Sequence, residues 1–188
     1  MAETATSRVA RDGEEFAVCS NSGEWLTAWH APDLIPAGTP HGANAFCIAA
    51  GDGVVLISND SERWGWPGGR PEGDESWEQT LRREVVEETC SLVCSAWLLG
   101  FCRSVCLSGP EKGLVLVRSI WRAEVELMPW KPRFEISHRR IVPVAELMSH
   151  LWMEEGLEPI YRRALRVAGL MSRVASCPGK QFRGIQLD

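Results

Sequence analysis

Short apolar runs with β-type patterning alternate along the chain with longer segments of helical period. Two runs, residues 45–50 and 54–58, flank Gly51-Asp52-Gly53. This arrangement is typical of a β-hairpin, because Asp-Gly accepts the positive φ of a tight turn. Further runs predict strands over residues 25–29, 97–107 and 114–127.

Helical periods appear in three later segments. Apolar residues recur every four positions within residues 75–89 and predict a helix there, with Asp74 as its N-cap. A short helix is predicted after Pro143 and a longer one over residues 155–175. Strands and helices in this order, without a regular βαβ alternation, indicate an α/β fold with a mixed sheet flanked by helices.

The domain organisation follows from where periodic patterning begins and ends. Residues 1–15 are polar and predict a flexible N-terminal tail, and residues 176–188 predict a C-terminal tail. The segment between them, residues 16–175, is long enough to bury a sizeable core as one domain. Residues 31–44 are rich in Pro and Gly and predict a surface loop.

Net charge and hydropathy limit which ligands the protein is expected to bind and where in the cell it is expected to lie. The net charge of −5 and the pI near 5.5 argue against binding of duplex nucleic acid, which calls for a basic surface. Small anionic ligands remain compatible, since a bound metal reverses the local charge. The sequence contains no apolar run of about 18 residues and no signal-peptide pattern, so a cytoplasmic protein without a membrane span is predicted.

Seven cysteines raise the question of a zinc site. Cys90, Cys94, Cys102 and Cys106 show two four-residue spacings, which zinc ligands use. In a strand, however, residues four apart are separated by about 13 Å. The sequence therefore favours free thiols in a reducing compartment over zinc.

Three glutamates carry the clearest chemical signal. Glu84, Glu87 and Glu88 stand at i, i+3 and i+4, so they project toward one side of the predicted helix. Carboxylate oxygens are the ligands that Mg²⁺ prefers. Upstream, Gly68-Gly69 allows a backbone to approach closely, because glycine has no Cβ. Taken alone, the glutamates would indicate a solvated helix face.

The spacing of these residues changes that interpretation. Gly69 is followed after five residues by Glu75, and after seven more by Arg83-Glu84-Val85-Val86-Glu87-Glu88. This order resembles the Nudix box, and the preceding Trp-Pro-Gly-Gly is similar to the family's usual lead-in. Cys90 and Ser91 depart from the box, which has glycine and an apolar residue there. Either Cys90 takes the left-handed cap conformation, at a cost of about 1 kcal/mol, or the helix runs longer.

The resemblance to MutT-like Nudix hydrolases implies a fold, a cofactor and residue roles. The implied fold is an α/β/α sandwich, and the implied cofactor is Mg²⁺, with Mn²⁺ as the alternative. The implied metal ligands are Glu84, Glu87, Glu88 and the carbonyl of Gly69, and the implied supports that hold the loop on the helix are Glu75 and Arg83. Catalysis is assigned to Glu84, Glu87 and Glu135.

Glu135 is the candidate general base from a later loop. It precedes residues 141–147, which look like the family's apolar-Pro-apolar element ending in Glu-Leu. The alternative is an ordinary solvated carboxylate. His138 is a second candidate base, although a loop histidine without a partner is more often a bystander.

The resulting functional hypothesis is a Mg²⁺-dependent Nudix pyrophosphohydrolase. Its substrate would be a small phosphorylated nucleotide, either a nucleoside diphosphate linked to another moiety, such as a nucleotide sugar, or a nucleoside triphosphate. The alternative is a non-catalytic Nudix-fold nucleotide-binding or regulatory module, which is disfavoured because every box carboxylate is present. The resemblance leaves a homodimer open, and none of the nine tryptophans is singled out as a base clamp.

Overall fold

A mixed β-sheet organises the part of the chain that the computed structural model describes, residues 8–132 and 134–171. Within these residues the sheet has eight strands. They are β1 (Glu15–Ser20), β2 (Gly23–His30), β3 (Thr39–Ala49), β4 (Gly53–Ser58), β5 (Gly68–Gly69), β6 (Ser91–Cys106), β7 (Val115–Leu127) and β8 (His138–Pro143).

The strand order is β1-β2-β6-β7-β3-β4-β8, with the short strand β5 paired to β3 outside this path. Strands β3 and β7 run parallel, and the other neighbouring pairs are antiparallel. The sheet is therefore mixed, as the sequence predicts.

Helices cover both faces of this sheet. They are α1 (Trp77–Thr89), α2 (Leu147–His150), which follows a 3-10 turn at Val144–Glu146, and α3 (Glu158–Val167). Because successive residues of a strand point to opposite faces, Cys47 of β3 packs in the α1 core, whereas Phe46 and Ile48 pack in the α3 core. The predicted α/β/α sandwich is confirmed.

The predicted loop over residues 31–44 is wrong in its second half, because β3 begins at Thr39. Parallel pairing with β7 satisfies the backbone there from Thr39 onward. The register of the β3–β7 pairing shifts between Pro40 and Gly42. Proline, which has no N–H to donate, is tolerated in a strand at such an irregularity. The hairpin of β3 and β4 forms as predicted.

Several element limits differ from the predicted ones. Strand β6 begins at Ser91 instead of residue 97, because its first residues pair with the end of β7. Strands β1 and β8 were missed, since most of their residues are exposed and give a weak apolar pattern. Helix α3 covers Glu158–Val167, which is shorter than the predicted 155–175. Gly169, with a φ of 72°, follows that helix end.

The first described residues pack against the domain. Ala10 is buried, and its N–H donates to the carbonyl of Pro159 at 3.0 Å. The Asp12 carboxylate accepts a hydrogen bond from the Ala31 N–H at 2.6 Å. Residues 1–7 and 172–188, which include most of the two predicted tails, lie outside the described residues. The domain limits at residues 16 and 175 stay predictions.

Helix α1 begins two residues later than predicted, with Ser76 as N-cap in place of Asp74. The Ser76 hydroxyl accepts from the Gln79 N–H at 3.3 Å, and the Gln79 side chain accepts from the Ser76 N–H at 2.8 Å. This reciprocal capping box satisfies two N–H groups that the first helical turn leaves free.

Helix α1 ends at Thr89, and Cys90 adopts the left-handed conformation, with φ 48° and ψ 52°. Of the two outcomes that the missing glycine left open, the structure shows the first. The guanidinium of Arg139, on β8, donates to the carbonyls of Thr89 at 2.7 Å, Cys90 at 3.2 Å and Met128 at 3.2 Å. A cation at a helix C-terminus binds carbonyls that have no partner within the helix.

The six cysteines in the described residues are free. The preference for free thiols over zinc stays a prediction. No helix in the same residues is long and apolar enough to cross a membrane.

The capping box gives a test of where α1 begins. Replacing Ser76 by Ala removes the side-chain acceptor for the Gln79 N–H, so we expect the free energy of unfolding to fall by about 1 kcal/mol. Asp74→Ala, two residues upstream, should change it by less than about 0.5 kcal/mol. Urea denaturation of the two variants measures both values. A larger loss for Asp74→Ala than for Ser76→Ala would show that the cap is assigned to the wrong residue.

Candidate functional site

Strand β5 brings its two glycines against the glutamates of α1. A Cβ added to Gly69 would overlap the carboxylate of Glu84, and one added to Gly68 would overlap the carbonyl oxygen of Ala43. The N–H of Gly68 donates to the Glu88 carboxylate at 2.8 Å. The close backbone approach that the sequence predicts is therefore present: a side chain at Gly68 would meet the backbone of β3, and one at Gly69 would displace the Glu84 carboxylate.

Arg83 joins the loop after β5 to helix α1. Its Nε and Nη2 donate to the two carboxylate oxygens of Glu75 at 2.9 and 3.0 Å, which is a bidentate pair. Nη2 also donates to the carbonyl of Arg70 at 2.9 Å. The hydrogen bonds from Arg83, together with one from the backbone N–H of Glu72, lower the pKa of Glu75 to about 2. The structure thus brings Glu75 and Arg83 together, as the sequence predicts.

The remaining nitrogen of Arg83 faces the predicted metal ligands. Its Nη1 donates to Glu84 at 2.9 Å and to Glu87 at 3.2 Å. The three glutamates of the helix repel one another at this spacing. One guanidinium therefore anchors the loop and also compensates two of the three carboxylates.

An open cavity of about 370 Å³ lies over this cluster. It is lined by Glu72, Arg83, Glu84, Glu87, Glu88, Phe134 and Glu135. Glu135 therefore meets the helix glutamates although it lies about 50 residues downstream. His138, the other candidate base, does not line this cavity, and its ring lies 6.4 Å from that of Trp64.

Burial and mutual repulsion disfavour full ionisation of the cluster. Burial, with the charges of Glu84, Glu135 and Glu87, raises the pKa of Glu88 to about 7, against the opposing hydrogen bond from Gly68. Burial also raises the pKa of Glu84, although its bond to Arg83 acts in the other direction. The site consequently has an excess of negative charge that one arginine does not neutralise.

The carboxylates bond to protein groups in this arrangement. Glu84 and Glu87 turn toward Arg83, and Glu88 turns toward the Gly68 N–H. In keeping with this, no three His, Cys, Asp or Glu side chains in the described part of the chain converge closely enough to hold a metal ion. The donor set itself, all carboxylate oxygens at one cavity, is chemically suited to a hard divalent cation.

Arg139 is a residue of this region that sequence analysis missed. It links the end of α1 to the carbonyl of Met128, and its guanidinium lies 5.1 Å from the ring of Trp130. It therefore fixes both ends of the segment that carries Glu135. In the sequence, only the replacement of the box glycine by Cys90 indicated that the C-terminal end of α1 differs from the family pattern.

A match to a known protein family identifies the family of this chain. The family model described as the NUDIX domain matches residues 38–164, which is more than half of the chain. The chain belongs to the Nudix family. The match spans the glycine loop, helix α1 and the Glu135 segment together. No curated protein matches the chain in sequence.

Solved Nudix structures share the fold. A Bacillus subtilis pyrophosphohydrolase, BsRppH, superposes with a TM-score of 0.63 at 20% identity, covering 83% of this chain and 96% of that one. A NUDIX hydrolase from Nitrosomonas europaea gives 0.55 at 20% identity, covering 74% and 94%. The MutT protein of Bacillus halodurans gives 0.54 at 22% identity, covering 71% and 84%. At these identities the likeness establishes the fold alone.

The predicted family and fold are thus confirmed. The individual roles of the glutamates, of Gly69 and of the Glu75–Arg83 pair stay predictions, because the family match does not test single side chains. The tryptophans of the lead-in and of β2 serve in packing: Trp29 and Trp64 are buried in the core on the α3 side.

The fit of Gly68 against β3 can be tested by stability. Gly68→Ala places a methyl group on the backbone carbonyl of Ala43, so we expect a loss of about 1–3 kcal/mol in the free energy of unfolding. Gly65→Ala, in the same loop, meets no atom within 4 Å and should be neutral within about 0.5 kcal/mol. Guanidinium denaturation compares the two, and equal effects would mean that the Gly68 contact is not tight.

Proposed function

We propose that this Nudix protein is a Mg²⁺-dependent hydrolase that cleaves a diphosphate linkage in a small nucleotide. The substrate would be a nucleoside diphosphate joined to another moiety, such as a nucleotide sugar, or a nucleoside triphosphate. Mn²⁺ is the alternative cation. The observation that carries the proposal is the convergence of Glu84, Glu87, Glu88 and Glu135 on one open cavity.

The carboxylate oxygens at this cavity chemically suit a divalent cation, although in this structure they turn toward Arg83 and the Gly68 N–H and no three of them converge on one point. Glu84, Glu87 and Glu88 would hold it through carboxylate oxygens, with the Gly69 carbonyl as a further ligand. Mg²⁺ keeps several waters and is commonly completed by substrate phosphates, which suits an open cavity. When bound, such an ion neutralises phosphate charge and lowers the pKa of a coordinated water. Burial, followed by the charges of the neighbouring glutamates, raises the pKa of Glu88, and a bound cation would favour its ionised form.

The other side chains at the cavity would have separate roles in positioning the ligands and in proton transfer. Arg83 holds the glycine loop on α1 and orients Glu84 and Glu87. Glu135 makes no hydrogen bond or ion pair to another described residue, so its carboxylate is free to accept a proton from an attacking water. Hydroxide would then displace one phosphate from the diphosphate linkage and release two phosphorylated fragments.

A non-catalytic nucleotide-binding module is the alternative. It would need no proton acceptor beside the metal face, yet Glu135 reaches the cavity from a separate loop. The structure therefore favours the hydrolase. The cytoplasmic location and the homodimer stay predictions.

Hydrolysis of a nucleotide panel tests the proposal. We expect the wild type to cleave nucleotide sugars or nucleoside triphosphates in the presence of Mg²⁺ or Mn²⁺. Glu87→Gln and Glu88→Gln should each lower kcat/KM by at least about a hundredfold, because each removes a charge from the proposed metal face. Glu78→Gln is the matched control, since Glu78 lies on the same helix but pairs with Arg82 at 2.8 Å.

Two results would contradict the proposed function. One is a folded wild-type protein that cleaves no compound of the panel with either cation. The other is full activity in both Glu87→Gln and Glu88→Gln, which would place the chemistry elsewhere.

A further inference from the structure

A single guanidinium on strand β8 joins the end of α1 to the segment between β7 and β8. Nη1 of Arg139 donates to the carbonyls of Thr89 at 2.7 Å, Cys90 at 3.2 Å and Met128 at 3.2 Å. Thr89 and Cys90 directly follow Glu88, and Met128 is the first residue after β7. Arg139 is thus bonded both to the helix that carries three glutamates of the cavity and to the segment that carries the fourth.

The segment between β7 and β8 is held at several points. The N–H of Met128 donates to the Cys90 carbonyl at 2.9 Å, so both backbone polar groups of Met128 are bonded toward the end of α1. The guanidinium of Arg139 lies 5.1 Å from the ring of Trp130, and Ile136 is buried. Arg139 therefore makes two of the contacts that fix the path of this segment.

Glu135 has no contact of this kind through its own side chain. It is exposed, lines the cavity, and makes no hydrogen bond or ion pair to another described residue. Burial is the main cause of the raised pKa of Glu88, and the charge of Glu135 adds to it, which agrees with their places around one cavity. A side chain without bonds of its own is placed by the backbone that carries it. The position of Glu135 therefore depends on the contacts of its segment.

Cys90 makes the bond to Arg139 more important than it would be with glycine at the helix end. Its φ of 48° and ψ of 52° lie in the left-handed region, which disfavours a residue with a Cβ and which glycine adopts readily. The Nudix box has glycine at this position. Arg139 bonds to the carbonyl of Cys90 and to that of Thr89 before it, and a cation there stabilises the end of a helix.

We infer that Arg139 is a positioning residue with two effects. It stabilises the end of α1 in the conformation that the box glycine favours, and it links that end to Met128, so that Glu135 stays beside the glutamates of α1. This rests on the proposed function, in which Glu135 accepts the proton of the attacking water. Arg139 is not among the described residues that line the cavity, so it acts through Glu135 and not on the substrate.

Amide exchange measured by NMR tests the link without substrate. Arg139→Met removes the donor to three carbonyls, so the Met128 amide should exchange at least about tenfold faster, which is the loss expected for a charged hydrogen bond. Arg140→Met is the matched control and should leave this exchange unchanged. Arg140 is the next residue of the same strand, and its guanidinium lies 4.2 Å from the ring of Trp64.

A lysine at position 139 gives the conservative variant. One nitrogen of Arg139 makes all three bonds, and a lysine ammonium also carries several N–H donors on one nitrogen. Arg139→Lys should therefore keep the Met128 exchange rate and kcat within about threefold of the wild type.

Kinetics of single and double variants test whether Arg139 acts through Glu135. Arg139→Met should lower kcat at least about tenfold and change KM by less than about threefold, because a misplaced base slows the chemical step more than it weakens binding. In a Glu135→Gln background the same substitution should lower kcat by less than about threefold further, since the group that it positions has already been removed.

Cys90→Gly separates the two effects of Arg139. It removes the Cβ from the left-handed position, so Tm should rise by about 2–4 °C, both in the wild type and in Arg139→Met. It adds no donor for the Met128 carbonyl. The kcat of the double variant Cys90→Gly/Arg139→Met should therefore stay as low as that of Arg139→Met.

Three results would overturn the role of Arg139 and leave the hydrolase standing. They are an unchanged Met128 exchange rate in Arg139→Met, an equal loss of kcat with and without Glu135, and recovery of the wild-type kcat on adding Cys90→Gly. A folded wild type that hydrolyses no nucleotide, with faster Met128 exchange in Arg139→Met, would instead overturn the proposed function and leave the link in place.

Discussion

The guanidinium of Arg83 holds together the parts on which the rest of the site depends. Its five hydrogen bonds join the Glu75 carboxylate, the Arg70 carbonyl and two glutamates of α1. Charge-assisted hydrogen bonds are roughly twice as strong as neutral ones. The place of Gly69 relative to Glu84 depends on this side chain together with the pairing of β5 with β3 and the Gly68 N–H bond to Glu88.

Both the lack of a side chain at Gly69 and the hydrogen bond from Gly68 hold the glutamates of α1 close to the glycine loop. The absence of a Cβ at Gly69 lets the Glu84 carboxylate lie directly against the backbone, and the Gly68 N–H fixes Glu88. Burial and, to a lesser extent, the charges of Glu84, Glu135 and Glu87 raise the pKa of Glu88 to about 7, so its ionised form is disfavoured in this cluster. A divalent cation would supply the missing charge, and this links the fold of the loop to its chemistry.

The sequence could predict the parts of this arrangement that depend on local spacing. Helix periodicity placed Glu84, Glu87 and Glu88 on one side, and the Asp-Gly turn gave the β3–β4 hairpin. Features that depend on contacts between residues far apart in the sequence could not be predicted from it. The cap that Arg139 provides for α1 bridges about 50 residues, and β1 and β8 are held by pairing along mostly exposed strands, so neither shows a clear apolar pattern.

The most direct test of the account is the turnover of Arg83→Lys at saturating Mg²⁺ and substrate. Lysine keeps the positive charge but cannot bind Glu75 with two parallel bonds while also reaching the Arg70 carbonyl. The account predicts that kcat falls at least about tenfold while the helix content measured by circular dichroism is unchanged. A wild-type kcat in this variant would contradict the claim that the guanidinium positions the carboxylates.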